Sequence, residues 1–469
     1  TRQFYEESIH IREVKLEAAE HAYDELLTTL EKPQPKENAP KTAVVGGGPA
    51  GISAGYLLAR EGMPVTVIEK SETIEGVCSQ IVPEFRISME SVQKDVQLAE
   101  FMGAEFRTGQ EAPSLAELKN QGYTNVIYAI GAWKHGVLRL ESGRALNSLE
   151  FLKANRENPT INPYGEQIVV VGGGNTAMDC ARAATTLPGV KKVSVVYRRN
   201  KRNMPADEEE LYLALEDGVD FLELLSPIKH ENQQLTCEKM VLGERDASGR
   251  RRPIGTGEMI DIPADTVIAA VGEKVDTEFY QALGIHTDNY GKVVSNQETL
   301  ETNIPGVYVI GDANLGPATI VEAIADATKA ANNICLVHNH HYEKDNLNSD
   351  VAFVRNKRGI LVTDEMSCSQ ASRCLECSTI CESCMDVCPN RANIVVYVEG
   401  KPQIVHVDRM CNECGNCETF CPYASAPYKD KFTLFNSEDD FYDSTNSGFY
   451  VQNPVDKICL LLLCLDKKK

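Results

Sequence analysis

Nine of the sixteen cysteines in this chain fall between Cys374 and Cys421, in two runs of similar spacing. The downstream run reads Cys411-x2-Cys414-x2-Cys417-x3-Cys421-Pro422, and the upstream one reads Cys377-x3-Cys381-x2-Cys384-x3-Cys388-Pro389. Three thiolates at two-residue intervals can hold three corners of a [4Fe–4S] cube, and the fourth, beside proline, then ligates the other cube of a pair. The upstream run has one residue more than expected in its first gap, so Cys374 or Cys368 could stand in for Cys377. Structural zinc also uses cysteine quartets, but as two separated pairs, often with histidine. The segment holds only His406, between the runs. Disulfide frameworks belong to small secreted chains, and neither a signal-peptide pattern nor a membrane-length apolar run is seen. The spacing therefore predicts two [4Fe–4S] clusters and single-electron chemistry, which requires a source of electrons elsewhere in the chain.

Upstream, β-branched residues at Lys41–Val45 predict a strand that runs into Gly46-Gly47-Gly48-Pro49-Ala50-Gly51. A helix is expected over 52–61 and a second strand over 65–69, ending in Glu69. This is the strand, glycine turn, helix, strand and acid of a dinucleotide-binding unit. One glycine makes the tight turn, one lets a pyrophosphate approach the backbone, and one allows the helix to pack closely on the strand. The helix N-terminus favours phosphate, and Glu69 would accept from a ribose. The unit then recurs. A strand over 167–171 leads into Gly172-Gly173-Gly174-Asn175-Thr176-Ala177, a helix over about 178–187, and a strand over 192–197. Here the second strand ends in Tyr197-Arg198-Arg199 with no acid. Arginines can pair with a 2′-phosphate that a carboxylate would repel, which favours NADPH; the plain alternative is a solvated basic face.

Two such units suggest a flavin site and a nicotinamide site, with the flavin domain resuming after the second unit. A strand is expected over 303–312, closing on Gly311-Asp312, followed by a helix over 320–332 fed by Pro317-Ala318-Thr319. Asp312 could bond the sugar-alcohol of a flavin or simply be a turn residue, and the helix N-terminus could stabilise negative charge. The fold expected is α/β: two nested Rossmann-like domains plus a small α+β iron–sulfur domain. The expected boundaries are 1–40 for an N-terminal helix (over 4–31) and linker, 41–152 with 281–340 for FAD, 153–280 for NADPH, 341–430 for the clusters and 431–469 for a tail. The apolar end of that tail, over 458–465, is open to reading as a disordered end, a partner-docking strand or an appended scar.

The 469 residues carry a net charge of −21, which argues against nucleic acid, because phosphate binding needs a basic footprint. Scattered cysteines such as Cys78, Cys180, Cys237 and Cys335 point to a reducing, cytoplasmic setting. The apolar run over 458–465 is too short to span a bilayer. A start at Thr1 without methionine leaves open that this is one piece of a longer polypeptide.

The stretches GGGPAGISAG at 46–55, IVPEFRI at 81–87, GGGNTAMDCAR at 172–182, VYRRNKRNMPADEEE at 196–210 and GVYVIGDA at 306–313 closely resemble the small-subunit family of NADPH-dependent glutamate synthase, which is shared with the flavin domains of dihydropyrimidine dehydrogenase. The cysteine-rich end is similar to that of selenate reductase flavoprotein subunits with a C-terminal ferredoxin-like domain. The resemblance implies FAD bound by Gly46, Gly48, Gly51, Glu69 and Asp312, with Pro49, Ala50, Gly311, Thr319 and Ile320 beside them. It implies Arg86 near the flavin, Ala129 and Gly131 at the crossover between domains, and NADPH held by Gly172, Gly174, Asn175, Thr176, Arg198 and Arg199. Glu208, Glu209 and Glu210 are equally well read as the first turn of a helix. Cys377, Cys381, Cys384, Cys388, Cys411, Cys414, Cys417 and Cys421 would hold the clusters. One departure is clear: glutamate synthase relatives carry a cysteine-rich region before the FAD domain, whereas residues 1–40 have no cysteine.

The function expected is an oxidoreductase passing electrons from NADPH through FAD and the clusters to a partner domain or subunit. The reverse direction, ferredoxin to NADP, uses the same parts, and a non-catalytic electron-wiring subunit is the third reading. A flavin disulfide reductase would need a cysteine pair near the flavin, and Cys78 and Cys180 supply none. No substrate domain is expected, so the partner's identity is open.

Overall fold

In a computed structural model the described residues are 9–74, 76–245, 251–338, 380–398, 401–421, 425–452 and 460–464. The chain divides into two units, residues 31–343 on the one hand and residues 1–30 with 344–469 on the other.

The larger unit is built on two parallel five-stranded sheets. The first runs, in spatial order, Val307–Val309, Tyr123–Tyr128, Lys41–Val45, Val65–Ile68 and Glu105–Arg107. The second runs Leu146–Asn147, Thr266–Ala269, Gln167–Val171, Lys192–Tyr197 and Asp220–Glu223. Central strands such as Val65–Ile68 are buried along their whole length, which is why they read as continuous β-branched runs and not as alternating ones. Val307–Val309 joins the first sheet only after the second has been completed, so the first domain is discontinuous. Two short antiparallel strands, Lys134–His135 and Glu273–Lys274, form the double crossover. The second sheet takes in Leu146–Asn147, on the near side of the boundary expected at 152. Between its last strands the chain inserts an antiparallel sheet, Leu225–Glu231, Gln234–Arg245 and Arg251–Pro263.

Four elements differ from expectation. The first helix of the dinucleotide unit begins at Pro49, not residue 52, because proline's fixed φ suits the first helical position. Its counterpart in the second unit begins at Asn175. The strand expected over 303–312 contracts to Val307–Val309, since Gly306 and Gly311 take φ of +73° and +64° on either side of it. The N-terminal helix spans Ile11–Thr29 and buries none of its residues.

The smaller unit carries a five-stranded sheet that also includes chain from the expected tail. Asn393–Val398 and Lys401–Val407 form an antiparallel hairpin, Phe432–Phe435 and Gly448–Gln452 add in parallel, and Leu460–Cys464 closes the edge antiparallel. Cys384, Ile404 and Cys417 form its small buried core, with Ile380, Val387, Val395 and Tyr428 packed against them. Among the described residues no helix is long and apolar enough to cross a membrane.

Candidate functional site

At the first glycine turn each glycine does a separate job. Gly46 takes φ +105°, and a Cβ there would lie 2.4 Å from the Ala129 carbonyl oxygen. A Cβ on Gly51 would lie 1.9 Å from the Gly46 carbonyl oxygen, so helix and strand touch backbone to backbone. Gly48 is the helix N-cap with no side-chain cap, and a Cβ there would meet nothing within 4 Å. That open space is where a phosphate can approach the N–H groups of the first helical turn. Gly51→Ala is accordingly expected to cost roughly 1–3 kcal/mol of stability by overpacking. Gly48→Ala should cost at most about 1 kcal/mol, the scale of an exchanged cap, yet weaken FAD binding by about tenfold or more. Denaturant midpoints and a flavin titration separate the two effects.

Glu69 sits at the end of the second strand and is 7% exposed. Its Oε2 accepts from Gly47 N at 2.7 Å and its Oε1 from Ser71 N at 2.9 Å, which fixes the carboxylate beside the turn. Both oxygens keep a lone pair for a ribose hydroxyl.

Gly46, Gly48, Pro49, Ala50 and Glu69 line one cavity of about 820 Å³, which extends past Ala129 and Gly131 to Asp312, Thr319 and Ile320. Its size suits a large cofactor. Asp312 starts a short helix, and its Oδ1 accepts from Ala318 N at 3.1 Å. Burial pushes this carboxyl up to about 6, the Ala318 amide pulling the other way and Glu273 and Glu322 adding to the rise. Gly311 does not line the cavity; a Cβ there would meet Ala50 Cβ at 2.9 Å, and its amide donates to Asp326 Oδ2 at 3.2 Å. Thr319 caps the helix Ile320–Val337 in a capping box with Glu322. Asp326, 4% exposed, also accepts from Asn314 and so braces the Gly-Asp turn. Its only sequence signal is an acid set in an alanine-rich helix face.

The cavity also brings in residues that motif reading missed. Val77 and Gln80 come from the helical turn Val77–Gln80, while Tyr128, Phe279 and Trp133 line other parts of the wall. Trp133 is the sole tryptophan of the chain, so it is a built-in reporter. Adding FAD to flavin-free protein should quench its emission by roughly half or more, because a ligand filling such a cavity buries most of its own surface against the walls. Unchanged emission on saturation would place the flavin elsewhere.

The second turn repeats the geometry. Gly172 has φ +156° and would put a Cβ 2.2 Å from Ala270 O, while Gly174 caps its helix with open space in front of it. Asn175 exchanges hydrogen bonds with Asp207, donating Nδ2 to Oδ2 at 3.3 Å and accepting from Asp207 N at 3.0 Å. Thr176 is half-buried in the same first turn. The two arginines diverge: Arg198 is exposed at the end of its strand, whereas Arg199 is 7% exposed and donates Nε to Arg251 O at 2.8 Å. Arg86 extends to the second domain, with Nη1 at 2.8 Å from Asp179 Oδ1 and Nη2 at 2.6 Å from Glu210 Oε1. Glu208, Glu209 and Glu210 form the first turn of a helix. Cys180 is buried, and desolvation pushes its thiol well up, the opposite of an activated redox cysteine.

In the smaller unit Cys388, Cys411, Cys414 and Cys417 line one small cavity, so the last cysteine of the upstream run faces the downstream trio. Ala392 N donates to Cys388 Sγ at 3.2 Å and Glu413 N to Cys411 Sγ at 3.3 Å. Such N–H···S bonds stabilise sulfur that carries negative charge. Burial pushes Cys384 up to about 11; Lys431 opposes this, and Cys381, Cys417 and Cys421 lie near enough to add to it. The four cysteines at this cavity and the two amides that donate to sulfur are of a chemistry that suits a cysteine-ligated cluster. Among the described residues no group of His, Cys, Asp or Glu is gathered tightly enough for a metal ion. Cys377, Cys374 and Cys368, the competing ligands of the upstream run, lie outside the described residues.

Residues 40–327 match the pyridine nucleotide-disulphide oxidoreductase family. The chain is 40% identical to the oxidoreductase YgfK of Escherichia coli K12 over 97% of its own length and 45% of that protein. It is 34% identical to the NADPH-Fe(3+) oxidoreductase subunit beta of Geobacter sulfurreducens, over 70% of this chain and 54% of that one. To the small chain of NADPH glutamate synthase from Escherichia coli K12 it is 31% identical, over 64% of this chain and 69% of that one. It thus spans about half the length of the first two. In fold it is similar to Mycobacterium tuberculosis FprA in complex with NADPH, at a TM-score of 0.54 and 20% identity over 66% of this chain and 87% of that one.

Proposed function

Because this chain belongs to the pyridine nucleotide-disulphide oxidoreductase family, together with the small chain of NADPH glutamate synthase, we propose that it is the NADPH-oxidising, FAD-containing electron-transfer module of a larger oxidoreductase. The observation that carries this reading is the cavity of about 820 Å³ running from Glu69 and the first glycine turn to Asp312 and Thr319, with a second glycine turn on the neighbouring sheet. Gly46, Gly48 and Glu69 would hold the adenosine diphosphate half of FAD, with Gly51 letting the helix close on the strand, and Asp312 its sugar-alcohol. Gly172, Gly174 and Arg198 would hold NADPH. A bound flavin supplies acceptance of a hydride from nicotinamide and release of electrons singly. The protein's part is to fix the two dinucleotides, with helix N-termini facing their phosphates. In the smaller unit Cys381, Cys384 and Cys421 would hold one [4Fe–4S] cluster, completed by Cys377, and Cys411, Cys414, Cys417 and Cys388 the other. Relatives named as a subunit beta and a small chain support a partner subunit as the electron acceptor.

Anaerobic addition of NADPH should bleach the flavin band first and then the broad cluster absorbance, while NADH should act much more slowly. Bleaching of flavin with clusters left oxidised would sink the proposed route.

A further inference from the structure

Residues 76–86 belong by chain order to the first dinucleotide domain, between its second strand and the helix Met89–Met102, yet they are held by the second. Ile81, 6% exposed, is part of the buried core formed by Phe151, Ile168, Ala177 and Met178, and Val77 packs on the same cluster. Arg156 donates Nη1 to the Val82 carbonyl. The Arg182 guanidinium lies 4.5 Å from the centre of the Phe85 ring, a cation–π contact. Arg86 then closes the segment with two charged hydrogen bonds, to Asp179 at 2.8 Å and Glu210 at 2.6 Å. Those carboxylates stand on the two helices that flank the second glycine turn, Asn175–Thr185 and Glu208–Glu216. The same two helices are tied at their starts by the Asn175–Asp207 pair. At the other end of the segment, Gly76, Val77 and Gln80 form part of the cavity wall. One short strap therefore touches the large cavity at its start and, through Arg86 at its end, the two helices that flank the second glycine turn.

We propose that Arg86 is a positioning residue: it locks this strap to the nicotinamide-binding helices and so sets the approach of nicotinamide to the flavin, without binding either cofactor. A forked guanidinium gripping carboxylates on two different helices fixes both distance and rotation, which a single contact would not do. The carboxylates are the buried partners, with side chains 10% and 12% exposed against 26% for Arg86, so removing the guanidinium leaves two largely desolvated carboxylates uncompensated. The proposal rests on the NADPH-to-flavin reading above.

The test uses Arg86→Gln, Arg86→Lys, the near-isosteric Asp179→Asn and the double variant Arg86→Gln/Asp179→Asn, all in the full chain loaded with FAD. Expected results are flavin content and NADP⁺ affinity by calorimetry within about threefold of wild type, but bleaching at saturating NADPH slowed by ~30-fold or more, since a shift near 1 Å in approach costs about that much. Arg86→Lys should recover part of the rate, and the double variant should be no slower than Arg86→Gln alone. Independently of nucleotide, hydrogen exchange of the amides over 77–86 should speed up by about tenfold or more in Arg86→Gln while the helix Met89–Met102 is unchanged. Bleaching within about threefold of wild type, or slowing accounted for by lost flavin or NADP⁺ affinity, would overturn the role. If wild type is not bleached by NADPH, the functional reading fails by itself, and the exchange data alone judge the strap: unchanged protection in Arg86→Gln overturns it.

Discussion

Replacing Cys388 with alanine is expected to remove the cluster of the downstream cysteine run, not the cluster of its own run. Cys388 lines the same small cavity as Cys411, Cys414 and Cys417, at the open end of the hairpin Asn393–Val398 and Lys401–Val407, where Asn393 pairs with His406. Ala392, fully buried, begins that crossing; its amide donates to Cys388 Sγ at 3.2 Å and its carbonyl accepts from Val407 N at 2.7 Å. The thiol of Cys388 is thus aimed by backbone at the partner run. Reciprocally, Cys421 acts electrostatically on Cys384, as Cys388 does on Cys411. A missing thiolate leaves an open iron corner, and cysteine ligation is what holds such a cube. Dithionite-reduced Cys388→Ala should give an electron paramagnetic resonance spectrum that matches Cys414→Ala, and Cys421→Ala one that matches Cys381→Ala. Iron should fall by roughly half in each, and transfer to an external one-electron acceptor by ~100-fold or more, because a lost cluster interrupts the chain of carriers. Flavin bleaching by NADPH should survive. Spectra grouped by run, with Cys388→Ala like Cys381→Ala, would refute the exchange.

How much of this could be read from the chain depends on whether the physics is local. Gly46, Gly48 and Gly51 were legible because a tight turn, an open cap and a backbone contact each demand glycine within six residues. The cysteine spacing is equally local, and the structure brings Cys411, Cys414 and Cys417 of the downstream run to one cavity. The strand over 303–312 was overread because its apolar run hides two positive-φ glycines that cut it to Val307–Val309. Extra strands beyond residue 430 were missed because parallel pairing of Phe432–Phe435 with the hairpin leaves no local pattern. Arg86 shows the limit most clearly. Resemblance put it near the flavin, but its partners Asp179 and Glu210 are 93 and 124 residues away in sequence, and no local periodicity reports such pairs. Likewise Arg198 and Arg199 look equivalent as neighbours, and only the fold turns one outward and one under Arg251.

That last distinction leads to a second large expected effect. Arg198→Ala should lower kcat/KM for NADPH by about 10–100-fold and leave NADH nearly unchanged, the scale of one or two charge-assisted hydrogen bonds to a phosphate. Arg198 stands exposed just past the strand Lys192–Tyr197, where the first unit has Glu69, so a 2′-phosphate can reach it without displacing anything. Arg199 is buried and commits Nε to the Arg251 carbonyl of the inserted antiparallel sheet. Removing it leaves an acceptor unpaired and a void, so Arg199→Ala should cost about 1–3 kcal/mol of stability and shift the NADPH-to-NADH ratio by no more than about threefold. Arg198→Glu sharpens the contrast, because a carboxylate repels the 2′-phosphate but can accept from a free 2′-hydroxyl, and the preference should invert toward NADH. Steady-state rates with both nucleotides, set beside denaturant midpoints, check all three variants. A ratio that moves with Arg199 and not with Arg198 would put the phosphate on the buried side and require the Arg251 contact to open when nucleotide binds.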